Sequence, residues 1–189
     1  MTPGSMHGNA TEIFQEGLRI PPVKLVQQGE IAKDILRLIM TNSRTPKLRR
    51  GDLMAQLAAN WTGEKRLQEL ISQKDIATYK LAVEAILNYS ERRLLTIIRD
   101  FPVKESTAMD FLDGDGIDDA PVKIAVKVSL SKSKIKFDFT GTADQVKGAI
   151  NCPFAVTLSG SYYVLRAITD PTIPANEGLY RHLEVTVPE

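Results

Sequence analysis

Three stretches of the chain carry residue types that can do chemistry. The first is the opening segment TPGSMHGNATEIFQEGLRIPPVKL, with Glu12, Glu16 and Arg19 set among glycines and prolines. If residues 11–16 form a helical turn, Glu12 and Glu16 fall on one face. Two close carboxylates can split their pKa values and serve as acid and base, or hold a metal. The other reading is a solvated turn capped at Asn9 or Thr11. The second stretch is DLMAQLAANWTGEKRLQEL, where Asn60 and Glu64 interrupt an apolar Leu53–Leu57–Leu67–Ile71 stripe. Beside it run Asp52, Gln56, Ala59, Gly63 and Arg66. Polar groups beside core-facing positions find partners or line a cavity. Asn60 and Arg66 are therefore expected to be at least half-buried or to line a groove, facing the loop of Glu12 and Glu16; a polar network packing the helix against a neighbour is the alternative. The third is Asn151-Cys152, ahead of an apolar helical run. A helix start can hold an anion, and a Cys there can become nucleophilic. The plainer reading is Asn151 as a cap and Cys152 as a small buried residue.

Other features bound the chemistry. The loop DGDGIDD starts like a calcium loop at Asp113, Asp115 and Asp118, but Ile124 stands where the bidentate Glu belongs. It reads as an acidic hairpin loop, with a weak cation site as the lesser reading. His7 and His182 are the two histidines, far apart in sequence, so a self-contained His-rich metal site is not expected. The net charge of +1 gives no field to recruit nucleic acid or an anionic membrane. No apolar run approaches the ~18 residues of a membrane span. A single cysteine excludes an internal disulfide framework and fits a reducing compartment, which points to the cytoplasm.

These residues need elements to position them. The 189 residues suit one domain or two small ones. The first 28 residues, broken by Pro3, Gly4, Gly8, Gly17, Pro21 and Pro22, read as loop. Ile31, Ile35, Leu38 and Ile39 recur at helical spacing, with a stop at Asn42-Ser43 before Pro46. A second helix is predicted over about 50–73 and a third over about 76–99, the latter striped by Val83, Ile86, Leu87, Leu94 and Ile98. The apolar period then drops to two. Val122 to Leu130 and Ile135 to Phe139 predict an antiparallel hairpin turning at Ser131-Lys132-Ser133. Ala108 to Leu112 reads as a further strand, joined through the acidic loop. A fourth helix over 153–169 has Arg166 as its one charge and is expected to be buried on all sides. Leu183 to Val187 alternates as a strand. The order predicts an α+β fold: a helical N-terminal half, then an antiparallel hairpin or sheet with one buried helix.

The stretches GSM-x-x-x-ATEIFQEGLRIPPVKL, TPKLRRGDLMAQLAANWTGEKRLQEL, LNYSERRL, KFDFTGTADQVKGAINCPFAVTLSGSYYVLRAI and DPTIPANEGLYRHLEV follow one another in an order that resembles the hydantoinase B family. That family groups the B-type component of ATP-dependent (N-methyl)hydantoinases, the matching part of 5-oxoprolinase, and the acetone carboxylase alpha component. The likeness spans essentially the whole chain. It implies an internal piece of a longer hydantoinase B-type chain: a site loop at 1–28, a helical part at 29–100 and an α+β part at 101–189.

The resemblance implies hydrolytic ring opening of a small cyclic amide, with ATP used on a partner A-type subunit. It implies a divalent metal in the full-length protein, held by a His- and Asp-bearing motif upstream of TPGSM and not by these residues. By match to the family's motifs, Glu12, Glu16 and Arg19 are expected in catalysis, and Asp52, Asn60, Arg66 and Asn151 around the substrate. Expected partners are the A-type subunit and further copies of the chain. A scaffold or contact module of an acetone carboxylase-like complex is the alternative.

Overall fold

A computed structural model describes residues 10–15 and 17–188. The chain forms two compact units, one of residues 12–79 and one of the described residues from Lys80 onward with Ala10 and Thr11.

In the first unit a small antiparallel hairpin pairs β1 (Val26–Gln27) with β2 (Glu30–Ile31). Its two turn residues, Gln28 and Gly29, both have positive φ, as a tight hairpin turn requires. The loop expected up to residue 28 therefore includes a short strand, which Gln-Gly, a weak turn signal, does not announce. Helix α1 (Lys33–Thr41) buries Leu36; of the expected stripe, Ile31, Ile35 and Ile39 are part-buried and Leu38 is half exposed. The expected stop holds: the Asn42 side chain donates to the Leu38 carbonyl at 2.8 Å and Ser43 to that of Ile39 at 2.8 Å. Helix α2 (Pro46–Lys74) starts earlier than expected, with Pro46 in its first turn, where a missing N–H costs nothing. None of its residues is buried. Asp75 ends it with φ 68° and starts α3 by accepting the Thr78 N–H and hydroxyl, each at 2.9 Å. These bonds hold the Asp75 carboxyl below its ordinary value.

The second unit is built on α3 (Ile76–Asp100) from Lys80 onward and a four-stranded sheet. The sheet runs β3 (Glu105–Leu112), β4 (Val122–Leu130), β5 (Ile135–Asp138) and β6 (Leu183–Thr186), in the order β3-β4-β5-β6. The predicted hairpin is β4–β5, with Leu130 opposite Ile135. The strand ahead of the acidic loop is β3, antiparallel to β4 with Leu112 opposite Val122. One expectation changes: β6 lies parallel to β5, so the sheet is mixed. A parallel return needs a crossover of a dozen residues or more, and α4 (Phe154–Ile168) with α5 (Glu177–Tyr180) supplies it.

The core joins Leu94 and Ile98 of α3, Ile135 and Phe137 of β5, Leu165 of α4, and Ile173 and Leu179. Lys104 closes α3 by donating to the carbonyls of Ile98 (3.2 Å) and Arg99 (3.0 Å), a cation at the negative helix end. Helix α4 corrects the expectation that it is buried all round. Its inner side is covered, with Ser161 and Leu165 buried and Tyr162 stacked on Tyr180 at 3.8 Å. Its outer side, Val156, Tyr163, Val164 and Ile168, is exposed. Gly178 of α5 sits so close to α3 that a Cβ would lie 1.9 Å from the Leu87 carbonyl oxygen.

Two leucines of α3 separate core from surface: Leu94 is 0% exposed and Leu81 is 71% exposed. Leu94→Ala is expected to lower the unfolding free energy by about 3 kcal/mol, and Leu81→Ala by less than about 0.5 kcal/mol. Denaturant titration of both variants checks this; equal losses would contradict the core assignment.

Candidate functional site

The second unit holds a cavity of about 410 Å³ where β4 and the end of β5 meet the start of α4. Its apolar wall includes Leu112, Ile124, Phe139, Ile150 and Phe154, and its polar groups include Lys123, Asp144, Gln145, Asn151, Cys152 and Thr157. The size and the mix of an apolar body with a few polar groups suit a small organic molecule.

One wall is the segment after β5, and the chain fixes it at three points. Ala143 N–H donates to the Lys123 carbonyl at 2.9 Å. The Thr142 hydroxyl accepts from Ala125 N–H at 3.1 Å and donates to its carbonyl at 3.0 Å. Asn151 bridges the rest: its Oδ1 accepts from Val146 N–H at 3.0 Å, and its Nδ2 donates to the carbonyls of Val146 (2.7 Å) and Gly148 (3.0 Å). The expectation that Asn151 caps α4 is therefore corrected. The cap position is Pro153, with no side-chain cap bond, because the Asn151 amide is already committed to the loop. Cys152 is exposed rather than buried, with its sulfur 3.5 Å from the Thr157 hydroxyl.

The acidic loop supplies a further anchor. Asp115 is 5% exposed. Its Oδ1 accepts the N–H groups of Ile117 (2.8 Å) and Asp118 (2.7 Å), and its Oδ2 that of Gly148 (2.9 Å). Those bonds hold its carboxyl below the ordinary value, with Asp118 N–H the largest cause. The glycine is required, since a Cβ at Gly148 would lie 1.8 Å from the Asp115 carbonyl oxygen. The loop is thus a clamp on the cavity wall, and both Asp115 oxygens are spent on backbone donors. Among the described residues no cluster of three or more His, Cys, Asp or Glu side chains could hold a metal ion. The described residues do not fit the divalent metal that the family resemblance implies.

The remaining expected site residues that the structure describes lie in the first unit. Glu12 is exposed, and its carbonyl accepts from Gln15 N–H at 3.1 Å. The Arg19 guanidinium lies 5.3 Å over the Phe14 ring. Asp52 accepts from Arg49 at 3.3 Å. Glu16 lies outside the described residues. Asn60 and Arg66 are exposed, so of the two expected placements half-burial is ruled out. Arg66 donates to Glu69 at 3.2 Å, one turn away. The physical reason is that α2 packs no residue into a core, so its polar positions have no wall to line within these residues.

A polar network between α3 and the segment 170–182 escaped the sequence reading. The buried Ser90 hydroxyl donates to the Pro174 carbonyl at 3.2 Å and accepts from Asn176 at 3.0 Å. Arg93 pairs with Asp170, and Glu91 accepts from Arg181 at 2.7 Å and meets His182 Nε2 at 2.6 Å. The His182 contact is the main cause holding the Glu91 carboxyl low. The signal was Asp170-Pro171-Thr172, a side-chain turn motif inside a family-like stretch from which no residue was singled out.

The family model described as Hydantoinase B/oxoprolinase matches residues 1–189. The chain belongs to this family. It is 36% identical over 200 residues to the B-type component of a putative D-/L-hydantoinase of Pseudomonas sp. (strain NS671), covering 100% of this chain and 34% of that one. It is 31% identical over 185 residues to the caprolactamase beta chain of Pseudomonas jessenii, covering 97% and 31%. The crystal structure of the ATP-dependent caprolactamase from Pseudomonas jessenii superposes with TM-score 0.88 at 30% identity, over 96% of this chain and 31% of that one. Acetone carboxylase in its nucleotide-free structure gives TM-score 0.82 at 18% identity, over 96% and 26%, which shows a shared fold. The chain spans about a third of the length of the first curated relatives it matches.

The Asp115 clamp carries a pH signature. A carboxyl held low in the folded state adds stability above its unfolded pKa of about 3.9, and that stability is lost as pH falls through the lower folded value. Asp115→Asn is expected to be less stable than the parent at pH 7 and to lose less on acidification below about pH 4. Other lowered carboxyls, among them Asp170, keep some slope in the variant. Unfolding curves at several pH values check this, and parallel pH profiles would contradict it.

Proposed function

We propose that these residues form part of the B-type component of an ATP-dependent cyclic amide hydrolase acting in the cytoplasm. The observation that carries the reading is the match to the ATP-dependent caprolactamase, in sequence and in fold, across nearly the whole chain. An A-type partner subunit uses ATP to activate the ring carbonyl. The B-type component then hosts ring opening by water, with donors aimed at the developing oxyanion. Glu12, Glu16 and Arg19 serve the reaction, and Asp52, Asn60, Arg66 and Asn151 line or brace the site. The exposure of Asn60 and Arg66 suits residues that complete a site with polypeptide beyond these residues. The water-activating group also lies beyond them. Self-association uses the open edge of β3, where Met109 is 68% and Phe111 53% exposed and no strand pairs outward among the described residues.

A direct assay separates this from a scaffold role. The purified chain is incubated with ATP, Mg²⁺ or Mn²⁺, and hydantoin, 5-oxoproline or caprolactam, with and without an A-type partner. No ring opening is expected. The same residues grafted in place of the matching third of the caprolactamase beta chain are expected to support ATP-dependent turnover. In that graft Asn60→Ala should lower kcat/KM at least about tenfold, equal to about 1.4 kcal/mol, while leaving the unfolding temperature within about 2 °C. Turnover by the isolated chain would place the site wholly within these residues. A folded, inactive graft would favour the scaffold reading.

A further inference from the structure

Helix α4 spends its inner side on the core and keeps an outer side that water does not suit. Residues 155–165 carry no charge, and Val156, Tyr163, Val164 and Ile168 are 54%, 76%, 43% and 45% exposed. These positions recur at helical spacing and form one strip, with Arg166 at its edge. Gly160 sits in the middle of the strip. A Cβ there would meet nothing within 4 Å. A glycine in an exposed helix interior weakens the helix relative to alanine, and nothing within the described residues asks for it. Close approach by a neighbouring backbone would.

The size of the strip selects the neighbour. Fifteen residues at 1.5 Å each make a helix about 22 Å long, so a strip about 10 Å wide offers roughly 220 Å². Stable association of separate molecules buries about 600–1,000 Å² on each partner. The strip is too small to hold a second copy or a diffusing protein by itself, and it has no charge pattern to steer one. A segment of the same polypeptide needs far less area, because its tether supplies the effective concentration. Relatives of this family have that polypeptide: these residues fill 31–34% of the hydantoinase and caprolactamase B-type chains, and the same fold occurs inside the longer caprolactamase chain.

We propose that the outer side of α4 is the seat of an apolar helix from the other two-thirds of a B-type chain, crossing closest at Gly160 with Tyr163 packed beside it. The proposal rests on the family assignment and chain length, and not on any catalytic role.

The test compares two molecules in a Cys152→Ser background: the 189-residue chain and the graft in the caprolactamase beta chain. Ser159→Cys places a thiol on the outer side beside Gly160, and Lys132→Cys in the β4–β5 turn is the exposed control. A maleimide probe should label position 159 at the control rate in the isolated chain and at least tenfold more slowly in the graft. Gly160→Leu should raise the unfolding temperature of the isolated chain and lower that of the graft. Equal labelling at 159 in both molecules overturns the proposal. So does protection at 159 in the isolated chain at twice its mass, which would make the occupant a second copy. If the graft fails to fold, the cysteine goes to the matching position of the caprolactamase beta chain itself, where fast labelling equally overturns it. A protected position 159 in a graft without turnover would leave the docking intact and count against the proposed function. Turnover with an unprotected thiol would do the reverse.

Discussion

The second unit depends on one apolar seam. Leu94 and Ile98, a turn apart on α3, lie in one buried cluster with Ile135 and Phe137 of β5 and Leu165 of α4. These residues come from three distant parts of the chain, so no segment can form its face alone. The polar network from Ser90 to His182 lies along the same helix and fixes the return of the chain toward β6. Gly178 shows how tight that return is, since no side chain fits between it and the Leu87 carbonyl.

The cavity inherits its shape from that seam and from the Asp115 clamp. The core sets where β5 ends and α4 starts. Asp115 and Asn151 then decide the path of the chain between them. A buried carboxylate satisfied by backbone donors is worth keeping only while all its bonds are made, so the clamp couples two loops that are more than thirty residues apart. The motif that looked like half a calcium site is better explained this way: its aspartate points inward, at amide groups.

Legibility followed physics. Helices α2 and α3 and the β4–β5 hairpin were readable because apolar period depends on local geometry alone. The parallel placement of β6 was not, since a strand's alternation carries no sign of its direction. The depth of α4 was misread because an all-apolar helix signals contact on every side without saying which molecule makes it. Asn151 was picked out by its place ahead of an apolar run and by the family resemblance, while its actual work is to tie back to Val146 and Gly148 in the loop before the helix, where no regular period marks it. Asn60 and Arg66 were expected in a wall, yet α2 has no core to present them to within these residues. Ser90 was missed, and Asp115 was read only as part of an acidic loop, because the partners that give them their work, Pro174 and Gly148, lie more than thirty residues away.

The measurement that tests the seam most directly is amide hydrogen exchange on the purified chain. The account predicts the slowest exchange in residues 90–99 of α3 and in β4 and β5, which can open only when the whole core opens. It predicts that α2, with no buried residue, exchanges at least about a hundredfold faster. Equal protection of α2 and the seam would contradict the account, because it would mean that the chain is held together by a core other than the one through Leu94 and Ile135.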